Sequence, residues 1–298
     1  MTIEKKVSLA AGLAVISVGT SVFAAGDPPA DGPAIYPGYE LVWQDEFDVD
    51  GGPDPEKWGF GPEGFIRNHE HQWYQDDNAF VRDGCLVIEA RKESRPNPNY
   101  LPGSKSWKTN RRTIEYTSSL VSTRGKHQWT FGRFEIRAKI EAQPGLWPAI
   151  WTLGSARKWP GCGEIDIMEY YRGKLMANAA WSKQGNVPWA SRWDSSKTPI
   201  EQLGDPSGWD DRFHVWRMDW DRDFIRLFVD GQLLNEIDLS KTFNETGDRA
   251  NPFHEPHYLL LNLALGGDNA DNPAETDTEF PSQFLIDYVR IYQAIPNE

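Results

Sequence analysis

The sequence predicts an all-β chain folded as a two-sheet jelly-roll sandwich of antiparallel strands, and three observations lead there. Apolar and polar residues alternate over many short runs. Arg133-Phe134-Glu135-Ile136-Arg137-Ala138-Lys139-Ile140 does so without a break, the pattern of a half-buried strand. Asp83-Gly84 and Asp230-Gly231 each sit between two such runs, and Asp-Gly supplies the positive φ angles that a two-residue hairpin needs. No long segment carries a 3.6-residue apolar period, and Pro and Gly punctuate the gaps. Many short strands with turn signals mean a sandwich or a barrel, and a chain of 298 residues with neither repeat nor mid-chain linker suits one large sandwich.

From the N-terminus, Lys5 and Lys6 precede an apolar run, Val7 to Phe23, that ends in a small-residue pattern at Ala24. Residues 1–24 therefore read as an export signal, which predicts a secreted or periplasmic product. Residues 25–38, rich in Pro, Gly and Asp, read as a linker, and residues 39–298 as one domain. Strands are predicted at 39–44, 79–82, 85–90 and 118–123. Further strands are predicted at 133–140, 147–153, 163–170, 175–182 and 213–220, then at 224–229, 232–237, 257–263 and 284–292.

The net charge of −13 excludes nucleic acid and anionic membranes as natural partners. The signal carries Glu4, Lys5 and Lys6, a net +1, so its removal leaves −14. The chain is expected to act as a monomer. Cys85 and Cys162 are the only cysteines and do not make a disulfide framework, and no Cys/His cluster has zinc spacing.

The stretch Gly163-Glu164-Ile165-Asp166-Ile167-Met168-Glu169-Tyr170 holds three carboxylates interleaved with apolar residues. Alternation puts Glu164 and Asp166 on one strand face, and a one-residue bulge at Ile167–Met168 would return Glu169 to it. Like charges held together push their pKa values apart, so one acid stays protonated while another is ionised. That is the equipment for cleaving a glycosidic bond; a calcium site or a wet edge strand are the plainer readings.

Fourteen tryptophans are many for one core, and Trp147, Trp151, Trp159 and Trp181 lie near the acids in sequence. Flat aromatic faces with one N–H donor suit the C–H faces of sugar rings, against core packing as the alternative. Asn68, Glu70, Gln72 and Tyr74 alternate and could read sugar hydroxyls, or form an exposed strand; Arg91 could reach the same cleft, or be solvated.

Together these residues resemble glycoside hydrolase family 16, the laminarinase-like β-glucanases, from about Tyr39 to Gln293. The resemblance rests on Leu41-Val42-Trp43-Gln44-Asp45-Glu46-Phe47, Gly132-Arg133-Phe134-Glu135 and Gly145-Leu146-Trp147-Pro148-Ala149-Ile150-Trp151. The acidic stretch Gly163 to Glu169 and Asp287-Tyr288-Val289-Arg290-Ile291-Tyr292 complete it. It implies a concave substrate cleft and retention of anomeric configuration. It also places Glu164 as nucleophile, Glu169 as general acid/base and Asp166 as the helper between them. It sets Trp147, Trp151, Asn68, Glu70 and Arg91 at or near the cleft. No cofactor is implied for catalysis, but a structural calcium is, held by Glu46, the Gly84 carbonyl and Asp287. The expected substrate is a polysaccharide, first a β-1,3- or mixed-linkage glucan cut internally. A marine galactan, or transfer to an acceptor other than water, is the alternative, and carbohydrate binding without catalysis fits least. One departure bears on the substrate: Met176-Ala177-Asn178-Ala179-Ala180-Trp181 lacks the histidine usual in laminarinases, and Arg172, Lys174 and Lys183 lie close by.

Overall fold

In the computed structural model, residues 32–184, 190–204, 206–245 and 247–296 are described. The signal at 1–24 and the first half of the linker lie outside them.

Strands numbered in chain order form two sheets. The larger runs β15 (Gln232–Asp238), β14 (Phe224–Val229), β13 (His214–Trp220), β8 (Gly132–Ile140), β17 (Ser282–Ala294), β5 (Cys85–Pro96), β6 (Thr113–Ser118) and β3 (Gln72–Tyr74). In it, β1 (Tyr39–Asp45) also pairs with β17, and β4 (Ala79–Arg82) with β5. The smaller sheet runs β12 (Ser191–Pro199), β11 (Lys174–Ser182), β10 (Glu164–Tyr171), β9 (Leu146–Gly154), β16 (His257–Leu265), β7 (Leu120–Ser122) and β2 (Gly59–Phe60). Among the described residues every pairing is antiparallel except β3 with β6. Both predicted Asp-Gly hairpins form, with positive φ at all four residues, and Arg172-Gly173 makes a third of the same kind between β10 and β11.

The core lies between the sheets. Phe134 and Ile136 of β8 and Trp216 and Met218 of β13 face Ile165 of β10 and Leu261 of β16, all fully enclosed. Strand alternation buries these side chains and leaves the opposite face of the smaller sheet free to build a cleft. That outer face is not polar on β9 and β16: Trp151, Leu153, Tyr258 and Leu260 form a second apolar cluster there, so both faces of the central strands are covered.

The structure departs from the sequence pattern in three instructive places. β12 is polar and ends in proline, as an edge strand paired on one side can be. The segment expected as one strand over 118–123 is two, β6 ending at Ser118 and β7 starting at Leu120. The alternation from Asn68 to Tyr74 is a strand only from Gln72; Asn68 and His69 adopt positive φ (44° and 56°) in a turn.

Candidate active site

The acidic strand is preceded by Gly163, whose φ of +78° and close approach to Pro252 leave no room for a side chain. From there β10 runs between β9 and β11. Asp166 stands opposite Asn178 on β11, but Glu169 stands opposite Met176, three residues against two. Against β9 the register slips in the same interval. This is the expected bulge at Ile167–Met168. Both of those side chains are fully buried in the core, and Glu164, Asp166 and Glu169 all line one cleft.

Each carboxylate has distinct partners. Glu169 Oε1 accepts from Trp147 Nε1 at 2.8 Å, and its Oε2 accepts from Asn178 Nδ2 at 3.1 Å. The same amide donates to Asp166 Oδ2 at 3.1 Å, and Asp166 is only 3% exposed. Burial pushes Asp166 well above the usual carboxylate range, and the charges of Glu169 and Glu164 add to it. Burial also raises Glu164 and Glu169 to about 7. The positive charge of Arg67 opposes the rise at Glu164; hydrogen bonds from Trp147, Asp166 and Asn178 oppose it at Glu169. Glu164 is thus the member with a cation beside it, and Asp166 and Glu169 are joined by a hydrogen bond. The three acids titrate together rather than singly.

The acids sit where two halves of the cleft meet. On the β9/β16 side the lining includes Phe65, Asn68, Glu70, Tyr74, Trp151 and Asn262. Trp151 Nε1 donates to Asn262 Oδ1 at 2.7 Å, and Asn262 Nδ2 to the Tyr74 hydroxyl at 3.0 Å, which fixes these three groups as one wall. Arg67 lies over the Trp151 ring at 5.2 Å from its centroid. Glu70 is buried, and burial raises its carboxyl although Gln72 Nε2 donates to it at 2.7 Å. The turn carrying Asn68 and Glu70 docks on Gly267, where a Cβ would lie 2.5 Å from the Asn68 carbonyl oxygen. On the β11/β12 side the lining includes Trp159, Asn178, Trp193, Ser195 and Lys197.

Of the residues expected to face substrate, the structure brings Asn68, Glu70, Trp147, Trp151 and Trp159 to the acids. Two others go elsewhere. Trp181 is 9% exposed and packs against Phe253 between the sheets, because register puts Met176, Asn178 and Ala180 on the cleft face of β11 and turns Trp181 inward. Arg91 lies on β5 of the larger sheet, where it pairs with Glu89 at 2.6 Å and bonds the Asp77 carbonyl. Gln72 supports Glu70 and the Leu265 amide from behind rather than lining the cleft. Arg172 is taken up by Asp271 at the hairpin tip, and Lys197 lines this half of the cleft. Arg67, Asn262, Trp193 and Lys197 were not marked by the sequence pattern. Arg67 falls in a turn, and β12 lacks apolar alternation.

The expected calcium ligands meet two arginines. Glu46 gives both oxygens to Arg290 at 2.8 and 2.7 Å, and Asp287 Oδ2 accepts from Arg137 Nη1 at 2.6 Å. Gly84 occupies the β4–β5 turn. In this arrangement each of the two carboxylates is paired with a guanidinium group. Among the described residues no cluster of three or more His, Cys, Asp or Glu could hold a metal. Cys85 and Cys162 are both free thiols.

The chain can now be set beside known proteins. The family model described as Glycosyl hydrolases family 16 matches residues 66–289. A beta-glucanase of Rhodothermus marinus is 37% identical over 272 residues, covering 86% of each chain. The catalytic domain of an endo-1,3-beta-glucanase (laminarinase) from Thermotoga petrophila RKU-1 superposes with a TM-score of 0.70 at 36% identity. That match covers 87% of this chain and 99% of the other. A structure from work on endo-acting O-glycanases with which human gut bacteria initiate mucin breakdown superposes with a TM-score of 0.76 at 37% identity. It covers 88% of this chain and 94% of that one.

Proposed function

The chain belongs to glycosyl hydrolases family 16 and is a glycosidase, and from that premise we propose that it cuts β-1,3- or mixed-linkage β-glucan internally with retention of configuration. The observation that carries this is the bulged strand, which sets Glu164, Asp166 and Glu169 on one cleft face with an arginine beside the first and a hydrogen bond between the other two. Glu164 attacks the anomeric carbon while Glu169 gives its proton to the departing glycosidic oxygen, so one C–O bond forms as another breaks. Glu169 is left as a carboxylate, held by hydrogen bonds from Trp147, Asn178 and Asp166. Water then attacks the glycosyl–Glu164 ester, Glu169 takes the water proton, and Glu164 leaves as carboxylate. This chemistry needs no cofactor. The two lined halves on either side of the acids support cleavage within a polysaccharide chain rather than at its end.

A second reading keeps the chemistry and changes the sugar to a galactose-containing glycan. It is favoured by Ala180 opposite Glu164, in the stretch without histidine. Incubation with laminarin, lichenan, agarose and κ-carrageenan, followed by product chromatography, separates the two. The first reading expects oligosaccharide ladders from laminarin or lichenan; a ladder from a galactan alone would replace it with the second.

A further inference from the structure

The β11/β12 half of the cleft contains groups that the catalytic acids do not use. Trp193 is 47% exposed, a large apolar surface left in water on the cleft face. Its Nε1 donates to Ser191 Oγ at 2.9 Å, which fixes the ring. Register explains why the ring is open: Trp193 stands opposite Ala180, and Ala180 opposite Glu164, so only a methyl group separates the indole from the acid along that row. Two strand spacings put Trp193 about 9–10 Å from the Glu164 strand, beyond a sugar seated at the acids. Next on the same face come Ser195 opposite Asn178 and Lys197 opposite Met176.

Asn178 supplies an independent observation. It is 4% exposed, and both bonds to the carboxylates use its Nδ2. Its Oδ1 is buried without a hydrogen-bond partner, although the side chain lines the cleft. A buried acceptor left unpaired costs free energy unless a donor arrives with the ligand. A sugar hydroxyl is such a donor.

We propose that Trp193, with the donors Ser195 and Lys197, forms a distal sugar-binding position that sets the chain-length preference of the enzyme. A pyranose ring stacks on Trp193 with Ser195 and Lys197 at its rim, while the neighbouring sugar at the acids donates a hydroxyl to Asn178 Oδ1. The position replaces, with a ring on the neighbouring strand, the contact that a larger residue at 180 would make. This deepens the glycosidase reading and rests on it.

The test is kcat/KM over a series of oligosaccharides of increasing length, drawn from whichever polysaccharide the unaltered protein cleaves. A failure of the glucan assignment then shows in the unaltered protein, and a failure of the subsite in the variants. For Trp193→Ala the loss should grow with substrate length to about fivefold to tenfold, carried by KM, with a shifted cleavage pattern. Trp193→Phe keeps a stacking face and should recover most of it, which distinguishes stacking from general damage to the fold. A loss independent of substrate length, or no loss at any length, would overturn the proposal.

Discussion

The indole of Trp147 donates to Glu169 Oε1 across 2.8 Å, from the strand alongside the acidic one. This bond stabilises the charged form of a carboxyl that burial, even against it, raises to about 7. Replacing Trp147 with Phe removes the donor and keeps an apolar ring. The group acting as acid should then hold its proton to higher pH, so the alkaline limb of kcat/KM should move upward by about half a pH unit or more. A pH–rate profile checks this. An alkaline limb that moved downward would mean that a different group sets it.

Glu164→Gln and Glu169→Gln should each lower kcat on polysaccharide by several orders of magnitude. Their combined loss should fall well short of the product, because the two act as one unit. In the Glu169 variant, a substrate with a good leaving group should still react at Glu164, and azide should restore turnover. Near-normal hydrolysis of polysaccharide by either variant would remove that residue from its role.

The same variants should be more stable at alkaline pH. The folded-state pKa of Glu169 lies above its unfolded value of 4.5, so the neutral carboxyl adds stability below about 4.5 that is lost as pH rises through about 7. Glutamine carries no such penalty. Because Glu169 is partly open to the cleft, the gain at pH 8 should be about 1–2 kcal/mol, a rise of a few degrees in Tm, with little change at pH 4. Thermal melts at the two pH values test the sign. Equal shifts at both would show that packing, not charge, is responsible.

The ion pairs at Glu46–Arg290 and Asp287–Arg137 predict little dependence on calcium. Chelation should leave Tm almost unchanged. Arg290→Ala, which strands a half-buried carboxylate, should cost about 1–3 kcal/mol. A drop of many degrees on chelation would mean that a cation displaces the arginines in solution.

The sequence and the fold agree most where period two and turn chemistry act alone. The Asp-Gly hairpins, the alternating β8 and the bulge before Glu169 are local patterns, and the chain carries them openly. Trp181 was misjudged because nearness in sequence to the acids says nothing about which face of the next strand a residue takes. Only the pairing of β10 with β11, which sets Glu164 against Ala180, decides that Trp181 points inward. Arg91 ended a well-read strand, but that strand belongs to the other sheet. Arg67 and Trp193 lacked any periodic signal. One lies in a turn and the other on a polar edge strand, and both join the site through long-range pairing.

The bulge itself can be tested by deleting Met168. The deletion restores strict alternation and turns Glu169 toward the core, so activity should vanish unless the strand shifts register. Retained activity in a folded deletion variant would show that Glu169 reaches the cleft by another route.

In the proposed mechanism Glu164 forms a covalent bond to the sugar. The measurement that bears on it most directly is mass spectrometry of the protein after reaction with a slowly hydrolysed fluorinated glycoside, followed by peptide mapping across 158–172. One glycosyl group on Glu164, with product of retained configuration by NMR, is the predicted result. A label on Asp166 or Glu169, or unlabelled protein releasing an inverted product, would contradict it.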